Sequence, residues 1–239
     1  MTLPTSLSGL SDTNTADSGP VVLPAEGLMF GGTKSTAASA TEIGPWVGAD
    51  SESDALGATL PCEEHSAAEA VSQCVRDQYV QIDSRLNTTY TALMITLSAE
   101  QQESLDAAEA SWITFRDLDC AVARDQSVLS EAYTRCLAAR TQVRHQELSG
   151  IPKTLSAQQS DINAQLDESY RALLQALNET GEAQLAQAQL AWINYRNSNC
   201  EFESVRYADD IDEIQCMARM SAIRSAQLET LKGDGDGNT

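Results

Sequence analysis

Ile82, Leu86, Tyr90, Leu93 and Leu97 follow one another at steps of four, four, three and four, which lays them on one face of an α-helix. Ser98 then stands where an N-cap belongs, and Gln101 completes a capping box. The spacing predicts a second helix over about 99–123, with Leu105, Ala108, Trp112 and Phe115 on one face. After a break around Asp125 to Ser130, a third helix over about 130–148 bears Cys136, Val143 and Leu148. Gly150, Pro152 and Lys153 end this unit. The pattern then returns. Leu166, Tyr170, Leu173 and Leu177 form one stripe, and Leu185, Ala188, Trp192 and Tyr195 form the next, with Gly181 read as a turn at its start. Cys216, Ile223 and Leu228 mark a third helix over about 213–232.

The return is a duplication. Trp112-Ile113-Thr114-Phe115-Arg116 leading to Cys120 reappears as Trp192-Ile193-Asn194-Tyr195-Arg196 leading to Cys200, an offset of 80 residues that also pairs Leu86 with Leu166, Tyr90 with Tyr170 and Cys136 with Cys216. A period this long exceeds one turn of a solenoid and fits a small domain. The expected fold is all-α, two tandem three-helix, disulfide-linked hairpin units in which short loops make neighbouring helices antiparallel. The units are expected at 61–150 and 151–232, after a low-complexity tail over 1–60 and before a flexible acidic end at 233–239.

Six cysteines, at 62, 74, 120, 136, 200 and 216, form no C-x-x-C pair. Six cysteines allow 15 pairings. The repeated gap of 16 residues selects Cys120–Cys136 and Cys200–Cys216, which leaves Cys62 with Cys74. Sequential bridges point to an oxidising compartment. The opening MTLPTSLSGLSDTNTADSG has neither the basic nor the apolar region of a secretion signal. The cysteines carry more weight, and a periplasmic or secreted protein is expected.

The net charge of −20 opposes binding to nucleic acid or anionic membranes and favours either a basic protein partner or simple colloidal solubility from a solvated acidic surface. No apolar run is long enough to span a membrane. His65 and His145 are the only histidines, in dissimilar contexts, and no nucleophile elbow or phosphate loop occurs. The chain therefore reads as no enzyme, with no cofactor and no metal. Trp112 and Trp192 read as core residues. Arg116 and Arg196, one turn further on, need partners, and structural ion pairs with Asp83 and Asp167 are expected. The sharpest partner-binding candidate is the segment between Cys200 and Cys216, which offers Glu201, Glu203, Tyr207, Asp209, Asp210 and Asp212 in a disulfide-closed loop.

Taken together, Cys62, Cys74, Asp83-x-x-Leu86-Asn87-x-x-Tyr90, Ala108-x-x-x-Trp112-x-x-Phe115-Arg116-Asp117-x-x-Cys120 and Cys136 resemble the LprI-type lysozyme-inhibitor domain. The resemblance covers about 62–148, and more loosely 159–231, where the first cysteine pair is missing and Asn163 and Asn197 replace aspartates. It implies a helical, disulfide-bonded envelope protein that binds rather than catalyses, inhibiting a lysozyme-like muramidase by occluding its cleft. The alternative is a structural or adaptor subunit of a larger envelope assembly, anchored through the N-terminal tail. A redox enzyme, the third reading, would need an easily reduced cysteine pair.

Overall fold

A computed structural model of the chain describes residues 62, 67–123, 131–150, 159–207 and 212–235. The N-terminal tail lies outside the described residues, as does the connection over 151–158. Helices α1 (Ala68–Thr96), α2 (Ala99–Val122) and α3 (Glu131–Ser149) come from the first copy, and α4 (Gln159–Ala176), α5 (Glu179–Arg206) and α6 (Glu213–Gly235) from the second. No strand occurs among the described residues.

The boundary between α1 and α2 is set by hydrogen bonding. Ser98 Oγ accepts from the Gln101 N–H at 3.3 Å, and Gln101 Oε1 accepts from the Ser98 N–H at 3.0 Å. At the corresponding place in the second copy, Asn178 Oδ1 accepts from the Gly181 N–H at 2.9 Å. Gly181 therefore lies inside the first turn of α5, not in a turn before it. A Cβ there would come within 3.1 Å of the Leu177 side chain, so the glycine makes room for packing.

The predicted stripes form the buried faces, except that Leu97, Val143, Tyr170, Leu177 and Ile223 are only half-buried. Ile82, Leu86, Tyr90 and Leu93 on α1 are buried, as are Leu105, Ala108, Trp112 and Phe115 on α2. Leu185, Ala188, Trp192 and Tyr195 on α5 match them. All three disulfides form as the repeated gap proposes, Cys62–Cys74, Cys120–Cys136 and Cys200–Cys216.

What the stripes pack against differs from a chain of hairpins. The most extensive helix pair is α2 with α5, while α1 packs mainly on α3 and α4 mainly on α6. Ser111 Oγ lies 3.3 Å from Ser198 Oγ, and the Gln101 side chain donates to the Val205 carbonyl, so α2 and α5 run antiparallel. Between them Phe115 stacks on Tyr195, with centroids 5.8 Å apart and planes 8° from parallel. These two residues are each other's repeat equivalents. A residue stacked on its own copy lies on an approximate two-fold axis, so the duplication folds like a symmetric dimer held in one chain. Residues 59–239 accordingly fall in one compact unit.

Candidate functional site

Trp112 and Trp192 are buried, and at each the arginine one turn further on lies over the ring, 4.9 Å from its centroid. The ion pairs expected of those arginines do not form. Arg116 bonds Asp117 at 2.7 Å, and Arg196 reaches the Asn197 side-chain oxygen at 3.3 Å. Asp83 instead accepts from the Asn87 side chain, and Asp167 pairs with Arg171 at 3.4 Å. An arginine lying back over the preceding tryptophan presents its guanidinium to its own helix. Burial would lower Arg116, but the neighbouring Tyr79, Asp117 and Asp83 hold it above the ordinary arginine value. Arg196 has no such acid, and burial pulls it down.

The strongest electrostatics lie deeper, in a network centred on α3 and α6. Arg144 and Arg224, equivalent under the offset of 80, are wholly buried. Each reaches α2 and α5 at once. Arg144 pairs with Glu109 at 2.5 Å and with Glu147 at 3.1 Å, and it crosses to the other copy to bond Asn199 at 2.6 Å and the Tyr195 hydroxyl at 3.1 Å. That hydroxyl donates in turn to Glu147. Arg224 bonds Gln189 at 3.1 Å within its copy and Asp119 at 2.7 Å across the axis, with its guanidinium 5.1 Å from the Phe115 ring centroid. Asp119 also takes Arg140 at 2.6 Å. The two sites are mirror solutions: Glu109 and Asn199 around one arginine, Gln189 and Asp119 around the other. In each, one carboxylate and one amide have changed places between copies.

Burial would raise Asp119, but Arg224 and Arg140 hold its carboxyl below the usual range. At Glu109 burial prevails over Arg144 and pushes the carboxyl up. Burial alone would lower Arg144, yet Glu109, Tyr195 and Glu147 keep it above the ordinary arginine value. Arg224, burdened by burial and by the like charge of Arg140, sits below it.

On the axis a crevice of about 280 Å³, counting space open to solvent, is lined by repeat-equivalent pairs such as Trp112 with Trp192, Phe115 with Tyr195 and Glu147 with Gln227. Its interior of about 10 Å³ holds a single water at most.

The acidic segment is more helical than the sequence implied, because α5 continues to Arg206. Glu201 is exposed. Glu203 is not part of the surface: it is buried, pairs with Arg219 at 2.6 Å and accepts from Asn199 at 2.8 Å. It lies two residues from Glu201 and so points to another face of the helix. Tyr207 caps α5, and its hydroxyl donates to the Gly150 carbonyl at 3.3 Å. Asp212 is exposed and accepts from the Ile214 N–H at 2.8 Å. Asp209 and Asp210 lie outside the described residues.

A disulfide-stapled, all-α tandem repeat of this kind fits an oxidising compartment. No helix among the described residues is long and apolar enough to cross a membrane. The family model for lysozyme inhibitor LprI matches residues 62–148 and again residues 152–228. The chain thus belongs to the lysozyme inhibitor LprI family, in two tandem copies. Neither the curated proteins nor the solved structures contain a match.

Proposed function

We propose that the protein acts in the periplasm or outside the cell as an inhibitor of a lysozyme-type muramidase, binding the enzyme's cationic surface and occluding its cleft. The observation that carries this reading is the family match over both copies. Charge supports it. The buried guanidiniums of Arg140, Arg144, Arg219 and Arg224 are matched by the enclosed carboxylates of Glu109, Asp119, Glu147 and Glu203. The interior is thereby neutral, and the net charge of −20 belongs to the rest of the chain. A field of that sign steers a basic protein toward the surface. Glu201, Tyr207, Asp209, Asp210 and Asp212 remain the partner-binding segment of this reading, without Glu203.

The test is titration of the purified chain into lysozyme clearing a suspension of bacterial cell walls. Inhibition should saturate at a fixed stoichiometry and weaken steeply as salt rises, because screening removes the steering and rim attraction. A chain starting at residue 61 should inhibit as well as the full one. Absence of both inhibition and binding at low salt would sink the reading.

A further inference from the structure

The two copies act as controls for one another. A side chain that the fold requires recurs at the equivalent place, as Trp112 and Trp192 do. A large apolar side chain exposed in one copy, with a polar equivalent in the other, is not required by the fold. Val80, 64 % exposed with Ser160 as its equivalent, is one such residue, near the middle of α1. Ile95, Ile214 and Val205 are three more, 80 %, 60 % and 38 % exposed. Their equivalents at the offset of 80 are Gln175, Thr134 and Asp125.

All three occupy one end of the bundle. Ile95 lies in the last turn of α1, beside the turn into α2. Gln101, at the start of α2, donates to the carbonyl of Val205 at 3.3 Å, which joins that turn to the end of α5. Cys200–Cys216 joins the same end of α5 to the start of α6, where Ile214 sits. The acids interspersed among them break the symmetry as well. Exposed Glu100, Glu103, Glu201 and Glu213 have Thr180, Ala183, Ala121 and Tyr133 as equivalents. At the opposite end the acids stand among Arg135, Arg171 and Lys232, whereas at this end Arg206, next to Val205, lies over the Phe202 and Tyr207 rings.

We infer that this end, built jointly by the α1–α2 turn and the α5–α6 end, is the docking face for the lysozyme, with Ile95, Val205 and Ile214 as its apolar centre and the four glutamates as its rim. The inference rests on the inhibitor reading above and assigns its surface. An exposed apolar centre with an acidic rim complements a cationic protein surface, where desolvated apolar contacts hold the complex and rim charges govern its formation. On this inference neither copy supplies the face alone.

The experiment compares the full-length native chain with Ile95→Ser/Ile214→Ser and, as control, Leu190→Ser. Leu190 is 49 % exposed, has Ala110 as its equivalent, and lies about four turns away from Val205 along α5. All three proteins should melt alike, since the altered side chains face solvent. The double variant should inhibit lysozyme about tenfold less well or worse, with Leu190→Ser unchanged. Glu100→Gln/Glu103→Gln should slow association at low salt and match the native chain at high salt. Native-like inhibition by the double variant would overturn the face and leave the inhibitor reading standing. Failure of the native chain itself to bind or inhibit lysozyme would overturn both. A native dimer that the double variant turns into a monomer in sedimentation, with inhibition unaltered, would make the face a self-interface and overturn the inference.

Discussion

Asp119→Ala is expected to destabilise the protein by about 3–5 kcal/mol, a large part of the roughly 5–15 kcal/mol available to a domain. Asp119 is fully buried and is the carboxylate for two guanidiniums, Arg140 at 2.6 Å and Arg224 at 2.7 Å. Its removal leaves both cations enclosed without an acid. Asp119→Asn should cost less than alanine, because an amide oxygen still accepts a hydrogen bond while the charge is gone. The repeat supplies a rescue. Around Arg144 the carboxylate is in its own copy, at Glu109, and the amide across the axis, at Asn199. Asp119→Asn/Gln189→Glu gives Arg224 that same arrangement and should recover part of the loss, though not the part due to Arg140. Urea denaturation followed by helical circular dichroism measures all three variants. The pH dependence follows with its sign. Asp119 has a carboxyl held below the ordinary value, so its contribution is present above about pH 4 and disappears as the pH falls through its lowered native value. The native protein should lose this increment on acidification, and Asp119→Asn should not. Glu109 works in the opposite sense, because its raised carboxyl makes ionisation costly in the folded state. Glu109→Gln should therefore be milder than Asp119→Asn, as Glu147 still faces Arg144.

Much of this architecture was legible in the residues, because period and duplication report burial directly. Leu86, Leu105, Trp112 and their equivalents fall on the predicted stripes, and the repeated cysteine gap singles out two bridges and leaves the third pair. The partners of the stripes were not legible. A buried face has the same spacing whether its own copy or the other covers it, so nothing local to Phe115 says that Tyr195 stacks on it. Charged residues misled for a related reason. Glu109 and Asp119 border the α2 stripe with nothing in the sequence to mark them as buried, and Glu203 reads as part of an acidic loop. Each is enclosed because α3 or α6 crosses above it carrying an arginine. One signal was available: Arg144 and Arg224 coincide at the offset of 80, on helices whose repeated Cys136 and Cys216, and Leu148 and Leu228, are buried. A cation kept at an equivalent core position demands a buried acceptor, and Glu109 opposite Gln189 and Asp119 opposite Asn199 are the acceptors that changed places. The pairs Arg116–Asp83 and Arg196–Asp167 were inferred from helix faces alone, which ignores how an arginine lies over a tryptophan one turn behind it.

Trp192→Ala should cost about 3–5 kcal/mol, and the loss should be felt equally in the first copy. Trp192 is almost wholly buried beside the axis, and it carries Arg196 over its ring. The residues next to it are the ones the first copy uses to hold itself in place. Tyr195 stacks on Phe115, and Tyr195 with Asn199 accepts Arg144 from α3. A cavity at Trp192 loosens α5, and α5 is the main support of α2. Two independent domains would unfold in two steps, with the mutation lowering only the second copy's transition. A shared core makes one step, whose midpoint moves as a whole. Native-state hydrogen exchange distinguishes the cases. Amides of Leu86 and Leu93 on α1 and of Leu166 and Leu173 on α4 should all lose protection by the same free energy in Trp192→Ala. Unchanged protection on α1 would mean that the α2–α5 contact holds two separately stable domains together. The shared core would then be wrong, and a docking face assembled from both copies would lose its rigid support.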